Sequence, residues 1–446
     1  MAQSVARRDA VEELTYTPKG RATREHVLQI AARVLSTEGI SGFSLDKVRR
    51  AGSFSGSQLT HYFSDRQALI LAVVEKQIET VLEFHRQPAL SGLQTFDDWE
   101  RWAGLNLSYL RHIGYRGAPT YHTLAGQLAK SDGPTCRTLA AGYQRWIALL
   151  ENAFHEMRIT GILTSAADPQ QLALVAIAGH QGGGTVAFAQ RQQWPLSDAC
   201  RFVVNHMRAF AADPDERRVR LPVDGRRRRR HHSTYSGPPP FTRKGLDTRA
   251  RIVSGAADLM FEHGANRTSL EDIRKARGVS GSQLSHYFDG KRDLTRAVVA
   301  LRARDVLEFQ PPPGLGGVAG RAELQRWVDA YVADVDARYS RGGCVYGSLV
   351  GELLEADDEL LDDLASGYDN WLRALHRGLS AMRRRGELDQ HADLRHLATT
   401  MLVAHQGGAM LTYVIGTAEP LRVALGAAVD YVASFSSPRV GGTRSP

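Results

Sequence analysis

Residues 55–63 read SGSQLTHYF and residues 280–288 read SGSQLSHYF, nine positions that differ at one. The offset between them, 280 − 55 = 225, holds without a gap along most of the chain. Val81 to Phe84 meets the same four residues at 306–309, and Arg116 and Gly117 meet Arg341 and Gly342. Tyr121 meets Tyr346; Gly142, Tyr143 and Trp146 meet Gly367, Tyr368 and Trp371; His180 to Gly183 meets His405 to Gly408; Phe210 meets Phe435. A repeat this long is not a solenoid unit, whose period is some tens of residues. It constrains the fold more than any composition does, because whatever one copy folds into, the other must fold into as well. Two copies of one module of about 190 residues are expected.

Composition agrees and removes several classes. A length of 446 residues with 43% hydrophobic residues is ample for two cores. The opening MAQSVARRDAVEEL has no apolar run of the secretory kind, so a cytoplasmic location is expected. Cys136, Cys200 and Cys344 are too far apart for a disulfide framework or a metal set, and no cofactor or metal is expected. The apolar stretch from Leu397 carries His405 and Gln406 at its middle, where lipid would penalise them, so it reads as a buried helix rather than a membrane span. No nucleophile–base pair, carboxylate pair or metal set recurs between the copies, which argues against an enzyme.

The net charge of +8 is unevenly placed. From Ala211 to Arg249 eleven Lys or Arg stand against five Asp or Glu, so this stretch supplies 11 − 5 = +6. It holds the run Arg226 to Arg230 and a Pro-rich turn from Gly237, with no apolar periodicity, and is expected to be a disordered linker. The arginine run reads either as a solvated connector or as a sequence-independent phosphate-binding arm.

Each copy opens with helical spacing: Val27, Ile30, Ala31, Val34 and Leu35, then Ile252, Ala256, Leu259 and Met260. Gly39 and Gly264 are expected to end these helices. A short helix follows from Ser44 or Ser269, with Leu45 and Val48 or Leu270 and Ile273 turned inward. After a turn comes the repeated nonapeptide as a second short helix, which completes a helix-turn-helix. Its small Ser and Gly residues permit close approach to DNA, Gln58 and Gln283 suit bidentate pairing with adenine, and Leu59 and Leu284 anchor the helix.

These residues, with the sequence from Ser269 through GVS and LSHYF to Lys291 and Leu294, resemble the DNA-binding domain of the TetR family of bacterial repressors. GCVYGSLVGEL from Gly343 and AHQGG from Ala404 are similar to that family's helical regulatory domain. The resemblance implies an all-α fold of two tandem TetR-like modules. Each would be a three-helix helix-turn-helix domain (20–70 and 246–295) followed by an all-helical regulatory domain (71–212 and 296–436), joined by the linker at 213–245. It implies base or groove contacts from Ser55, Ser57, Gln58 and Thr60 and phosphate contacts from His61, Tyr62 and Arg66. The second copy supplies Ser280, Ser282, Gln283, Ser285, His286, Tyr287 and Lys291, and the capping Ser44 and Ser269 join the DNA-facing set. A small-molecule effector is implied in the regulatory regions, with Tyr121, Trp146, Tyr346 and Trp371 as candidate ligand contacts that also read as core. One departure stands out: copy one has AGSF at 51–54 where copy two has ARGV, so Ser53 must take the place of Gly278.

The expected function is a DNA-binding regulator whose two copies pair within one chain on an inverted-repeat operator in double-stranded DNA, with a chain dimer as the rival assembly. The alternative is a ligand-binding or scaffolding protein in which the first head is vestigial.

Overall fold

The protein is described here from a computed structural model, which covers residues 16–115, 120–218, 228–237, 240–308, 321–354 and 357–436. Arg116, Gly117, Arg226 and Arg227, singled out above, lie outside these residues, as do parts of 213–245. Each half begins with a hydroxyl cap. Thr17 accepts from the Gly20 N–H and Thr242 from the Gly245 N–H, both at 3.2 Å, which satisfies a donor that the first helical turn leaves orphaned. The helices that follow are α1 (Pro18–Gly42), α2 (Leu45–Ala51), α3 (Gly56–Tyr62), α4 (Arg66–Arg86), α5 (Phe96–Ile113), α6 (Tyr121–Leu128), α7 (Gly133–Ile159), α8 (Pro169–Gln190) and α9 (Trp194–Arg208). The second half runs α10 (Arg243–His263), α11 (Leu270–Arg277), α12 (Gly281–Tyr287), α13 (Lys291–Glu308), α14 (Arg321–Ala333), α15 (Gly347–Leu353), α16 (Asp358–Arg384), α17 (Leu394–Ile415) and α18 (Glu419–Ala433). The bounds of α3, α7, α8 and α9 recur 225 residues later in α12, α16, α17 and α18. Among the described residues there is no strand, only an isolated bridge between Leu163 and Ala211.

The apolar spacing of α1 buries Val27, Ile30, Ala31, Val34 and Leu35, and that of α10 buries Ile252, Ala256 and Met260. Gly39 breaks α1 at φ +64° and Gly264 ends α10 at φ +92°, conformations that cost glycine little.

Where the halves meet, side chains vanish. A Cβ on Gly182 of α8 would lie 1.9 Å from the Val403 carbonyl oxygen, and one on Gly407 of α17 would lie 1.8 Å from that of Ala178. These contacts are one contact written twice, since 178 and 182 become 403 and 407 under the offset of 225. Gly126 of α6 likewise meets its own counterpart, Gly351 of α15: a Cβ there would be 2.9 Å from the Gly351 oxygen. Residues that meet their own repeat partners lie on a two-fold axis, here a pseudo-symmetric one inside one chain. Helices α9 and α18 flank the α8–α17 crossing, with Asn205 donating to the Tyr431 hydroxyl at 3.2 Å. Helix α8 is long and apolar enough to cross a membrane, but 89% of that span is buried against the rest of the protein. The Leu397 stretch is buried too, as part of α17.

The linker departs from expectation. Residues 228–237 are held at several points by both halves, with His231 buried, while most of their side chains stay exposed. Arg228 pairs with Asp198 at 2.6 Å and sits 4.0 Å over the Trp194 ring. His231 is buried, with Nδ1 3.0 Å from an Asp362 oxygen and Nε2 3.0 Å from the Gln190 carbonyl. Ser233 donates to Asp363 at 2.6 Å, and the Arg249 guanidinium of α10 donates to the Tyr235 hydroxyl. The physical reason is charge: a basic segment without a core of its own meets the carboxylates of α9 and α16. Charge-assisted hydrogen bonds are about twice as strong as neutral ones, enough to order it.

Candidate nucleic-acid interface

Helices α2 and α3 are joined by a turn that copies α11 and α12 with one exchange. Gly278 caps α11 at φ +61°, and Ser53 adopts φ +54° at the same place. The neighbouring glycine explains why copy one has its glycine one position early. The buried Phe54 ring covers Gly52, where a Cβ would lie 2.1 Å from Phe54 Cε2, so glycine is needed at 52 and serine is left in the left-handed position. That conformation costs an L-residue roughly 1 kcal/mol. Ser53→Gly is therefore expected to raise the local stability of the first head by about 0.5 kcal/mol at most, since glycine's greater freedom in the unfolded chain offsets much of the relief. Native-state hydrogen exchange of the α2 and α3 amides measures it; slower exchange is the expected result, and unchanged or faster exchange refutes it.

The recognition helices α3 and α12 are built alike. Ser55 Oγ accepts from the Gln58 N–H at 3.1 Å while the Gln58 side-chain oxygen accepts from the Ser55 N–H at 2.9 Å. Ser280 and Gln283 repeat both bonds at 3.1 and 2.9 Å. This capping box is a role not foreseen for the two glutamines: the carbonyl oxygen accepts from the cap N–H, and the amide N–H₂ remains to donate. Leu59 and Leu284 anchor the helices in the core. Ser55, Ser57, Gln58, Thr60 and His61 are exposed, as are Ser280, Ser282, Gln283, Ser285 and His286. Thr60 and Ser285 return their hydroxyl protons to the Gly56 and Gly281 carbonyls, at 3.1 and 3.0 Å. Ser44 and Ser269 cap α2 and α11.

Arg66 and Lys291 each reach backbone carbonyls of their own head. The Arg66 guanidinium donates to the carbonyls of Phe43 (3.0 Å) and Ile40, and Lys291 Nζ lies 3.4 Å from the Asn266 carbonyl. Partial burial lowers the Lys291 ammonium below its ordinary value. Both cations close the end of the first helix of their head, where carbonyls lack helical partners. Tyr62 and Tyr287 are half-buried, each in an aromatic trio: Tyr16 with His61 and Tyr62, Phe241 with His286 and Tyr287. Tyr16 and Phe241 were missed, although 16 + 225 = 241 and both stand just ahead of the capping threonine.

The four candidate ligand residues separate. Tyr121 donates to the Leu139 carbonyl at 2.6 Å and Tyr346 to that of Leu364 at 2.5 Å, each ring covering a glycine (Gly142, Gly367). Burial pushes both hydroxyls well above the ordinary tyrosine value, and both residues are core. Trp146 is buried with its indole N–H on His85, whereas Trp371 lines a cavity with Tyr331, Tyr339 and His405. Among the described residues no group of three or more His, Cys, Asp or Glu is placed to hold a metal.

Two short helices joined by a tight turn, the second presented to solvent, define a helix-turn-helix DNA-binding protein. Residues 252–298 match the family described as "Bacterial regulatory proteins, tetR family", and residues 320–428 match "Tetracyclin repressor-like, C-terminal domain". The second half of the chain is thus similar to TetR-family transcriptional regulators, from the DNA-binding domain into the regulatory domain. It is 25% identical over 151 residues to the HTH-type transcriptional regulator SrpR of Pseudomonas putida, covering 33% of this chain and 67% of that one. An uncharacterized HTH-type regulator of Lactococcus lactis subsp. lactis is 24% identical over 141 residues (30% and 70%). Among solved structures, a TetR transcriptional regulator of Chloroflexus aurantiacus is similar at 25% identity and TM-score 0.39, with 44% of this chain and 98% of that one covered. Regulators of this family bind DNA and small-molecule effectors.

Proposed function

We propose that this chain is a single-chain pseudo-dimer: heads at 20–70 and 246–295 read the two halves of one inverted-repeat operator, and bodies at 71–212 and 296–436 pair within the molecule. The observation that carries this reading is the meeting of Gly182 with its own repeat partner Gly407, because a two-fold crossing of that kind sits where two subunits of a dimer would join. Two-fold related heads suit half-sites about one helical turn, roughly 34–36 Å, apart. Ser55, Ser57, Gln58, Thr60 and His61, with their repeat partners, form the groove-facing set. With its carbonyl engaged in the cap, each glutamine offers its amide N–H₂ to a major-groove acceptor such as purine N7 or thymine O4. A small-molecule effector acts by favouring one head spacing, a coupling on the order of 1–3 kcal/mol.

Selecting bound fragments from random DNA is the test. The expected sites have dyad symmetry with closely similar half-sites. Gln58→Ala and Gln283→Ala should each weaken binding by about 1–3 kcal/mol, a sum of the lost contact and the loosened cap. Selected sites lacking a dyad would sink the reading; a full effect at Gln283 with none at Gln58 would favour the alternative of a vestigial first head. Sedimentation equilibrium of the free protein should return a mass near 49.1 kDa, and twice that mass would favour the chain dimer.

A further inference from the structure

In the second half a linker tyrosine reaches the recognition helix through two further side chains. The Tyr235 hydroxyl accepts from the Arg249 guanidinium of α10, and that guanidinium lies 4.7 Å over the ring of Phe288. Phe288 is the C-cap of α12, its N–H bonded to the Leu284 carbonyl at 3.0 Å. On the body side, Arg296 of α13 sits 5.6 Å from the Tyr235 ring and donates to Thr234 Oγ1 at 2.7 Å and to Asp363 of α16 at 2.6 Å. Ser233 donates to the same Asp363 carboxylate, and the His231 backbone N–H donates to Asp369 at 3.1 Å. Residues 231–235 thus join α16 of the body to the end of the recognition helix.

The first half lacks the residues for this brace. The offset of 225 carries Tyr235 to Ala10, Arg296 to Leu71, Asp363 to Thr138 and Asp369 to Gln144. Ala10 lies outside the described residues, but an alanine side chain offers neither a ring nor a hydroxyl. Arg24 keeps the place of Arg249, 5.5 Å over the Phe63 ring, so the head's own part of the contact is common to both copies. A direct tie of head to body is common too: Gln67 donates to Asp132 at 3.0 Å where Arg292 donates to Asp357 at 2.8 Å. What the second half adds is the linker.

We infer that Tyr235 is a positioning residue for operator binding: through Arg249 and Phe288 it fixes the angle of α12 on its own body, so the second recognition helix is preset and the first is not. The inference rests on the operator reading above, since it concerns how one of the two heads is presented. Presetting acts on affinity without touching DNA, because apparent affinity scales with the fraction of molecules whose head is already aligned.

Two pairs of spin labels report the head angles in the full chain without DNA, on a Cys136→Ser background because Cys200 and Cys344 are buried. Ser285→Cys with Arg377→Cys spans α12 and α16, and Thr60→Cys with Asn152→Cys spans the matching α3 and α7; all four positions are exposed. The second-half pair should give the narrower distance distribution. Tyr235→Ala should widen it to the width of the first-half pair, which itself stays unchanged, and Tyr235→Phe, which keeps the ring beside Arg296, should widen it less. With the dyad duplex selected from random fragments as probe, Tyr235→Ala should weaken binding about three- to ten-fold. The slope of log affinity against log salt should not change, because no phosphate contact is lost. Ser236→Ala, at the exposed neighbouring position, should alter neither readout. A tyrosine with a merely structural role would lower the urea midpoint and leave the label widths of the folded protein as they were. Equal widths in the parent, a second-half width that Tyr235→Ala leaves alone, or a flattened salt slope each overturn the inference, the last because it makes the linker a DNA contact. Unequal widths in a chain that binds no dyad duplex leave the brace standing and sink the operator reading, whereas dyad binding with equal widths sinks this inference alone.

Discussion

One methyl group at the pseudo-dyad is expected to cost the protein a large share of its stability. Gly407→Ala places a Cβ 1.8 Å from the Ala178 carbonyl oxygen, a backbone atom that moves only if α8 and α17 separate. Two effects oppose each other. Alanine is the better helix former by about 0.8–1 kcal/mol, while overpacking typically costs 1–3 kcal/mol and more where the clash is with backbone. The clash should win, for a net loss of about 2–3 kcal/mol out of a stability typically near 5–15. Gly182→Ala is the symmetric test, its Cβ meeting the Val403 oxygen at 1.9 Å. Gly426→Ala is the control, since a Cβ there meets nothing within 4 Å, and this variant should gain the helix propensity alone. Urea melts of the three variants decide. If Gly407→Ala melts with or above the parent, the close crossing is not part of the native protein.

What was legible in the sequence follows how local the cause is. The heads could be read because their causes lie within a few residues: a capping hydroxyl, an apolar pair three or four positions on, a glycine where the backbone turns left-handed. Even the strain at Ser53 was visible, because Gly278 occupies the matching place in a second copy. The small residues of GHQGGG at 179–184 permit close helix packing. Gly183 does so within its own half, against Ala199 of α9, and Gly182 does so across the halves. Sequence alone could not say which glycine faced which way, because α8 is apolar all round and its periodicity points nowhere.

Longer-range contacts were not legible. Arg66 and Lys291 carry charges that suit phosphate, and sequence did not show that they also reach carbonyls 23 to 26 residues back for Arg66 and 25 back for Lys291. The linker was called unfoldable because it has no core of its own, which is true. What orders Arg228 to Tyr235 is a set of carboxylates some 130 positions away on α16, together with Asp198. Composition counts charges; it cannot see where the opposite ones have been folded to. Within the arginine run, Arg228 is held by Asp198.

Removing the Lys130 ammonium should be the most damaging single change at the junction between bodies and heads. Lys130, just past α6, and Glu352, in α15, face each other at 3.0 Å with side chains 5% and 4% exposed. Lys130 Nζ also lies 3.4 Å from the Met260 carbonyl and 3.3 Å from Ser348 Oγ, and Glu352 accepts from the Ala265 N–H at 2.6 Å. The pair therefore ties a first-half loop to the second body and to the end of α10 in the second head. Lys130→Met would leave a buried carboxylate without its counter-charge, a loss of about 3–5 kcal/mol near pH 7, whereas Lys130→Met with Glu352→Gln should recover most of it. The pH dependence has a definite sign. Burial holds the Glu352 carboxyl above its ordinary value of 4.5, with Lys130 pulling the other way, so loss of Lys130 raises it further. A carboxyl whose folded value exceeds its unfolded one favours the folded state when protonated; that contribution is complete below the unfolded value and disappears as pH rises through the folded one. The deficit of Lys130→Met should thus shrink as pH falls from 7 toward 4.5, and Glu352→Gln should abolish this dependence. Denaturant melts of the two variants at several pH values measure it, and a deficit that stays constant or widens on acidification would show that Glu352 is not the group left stranded.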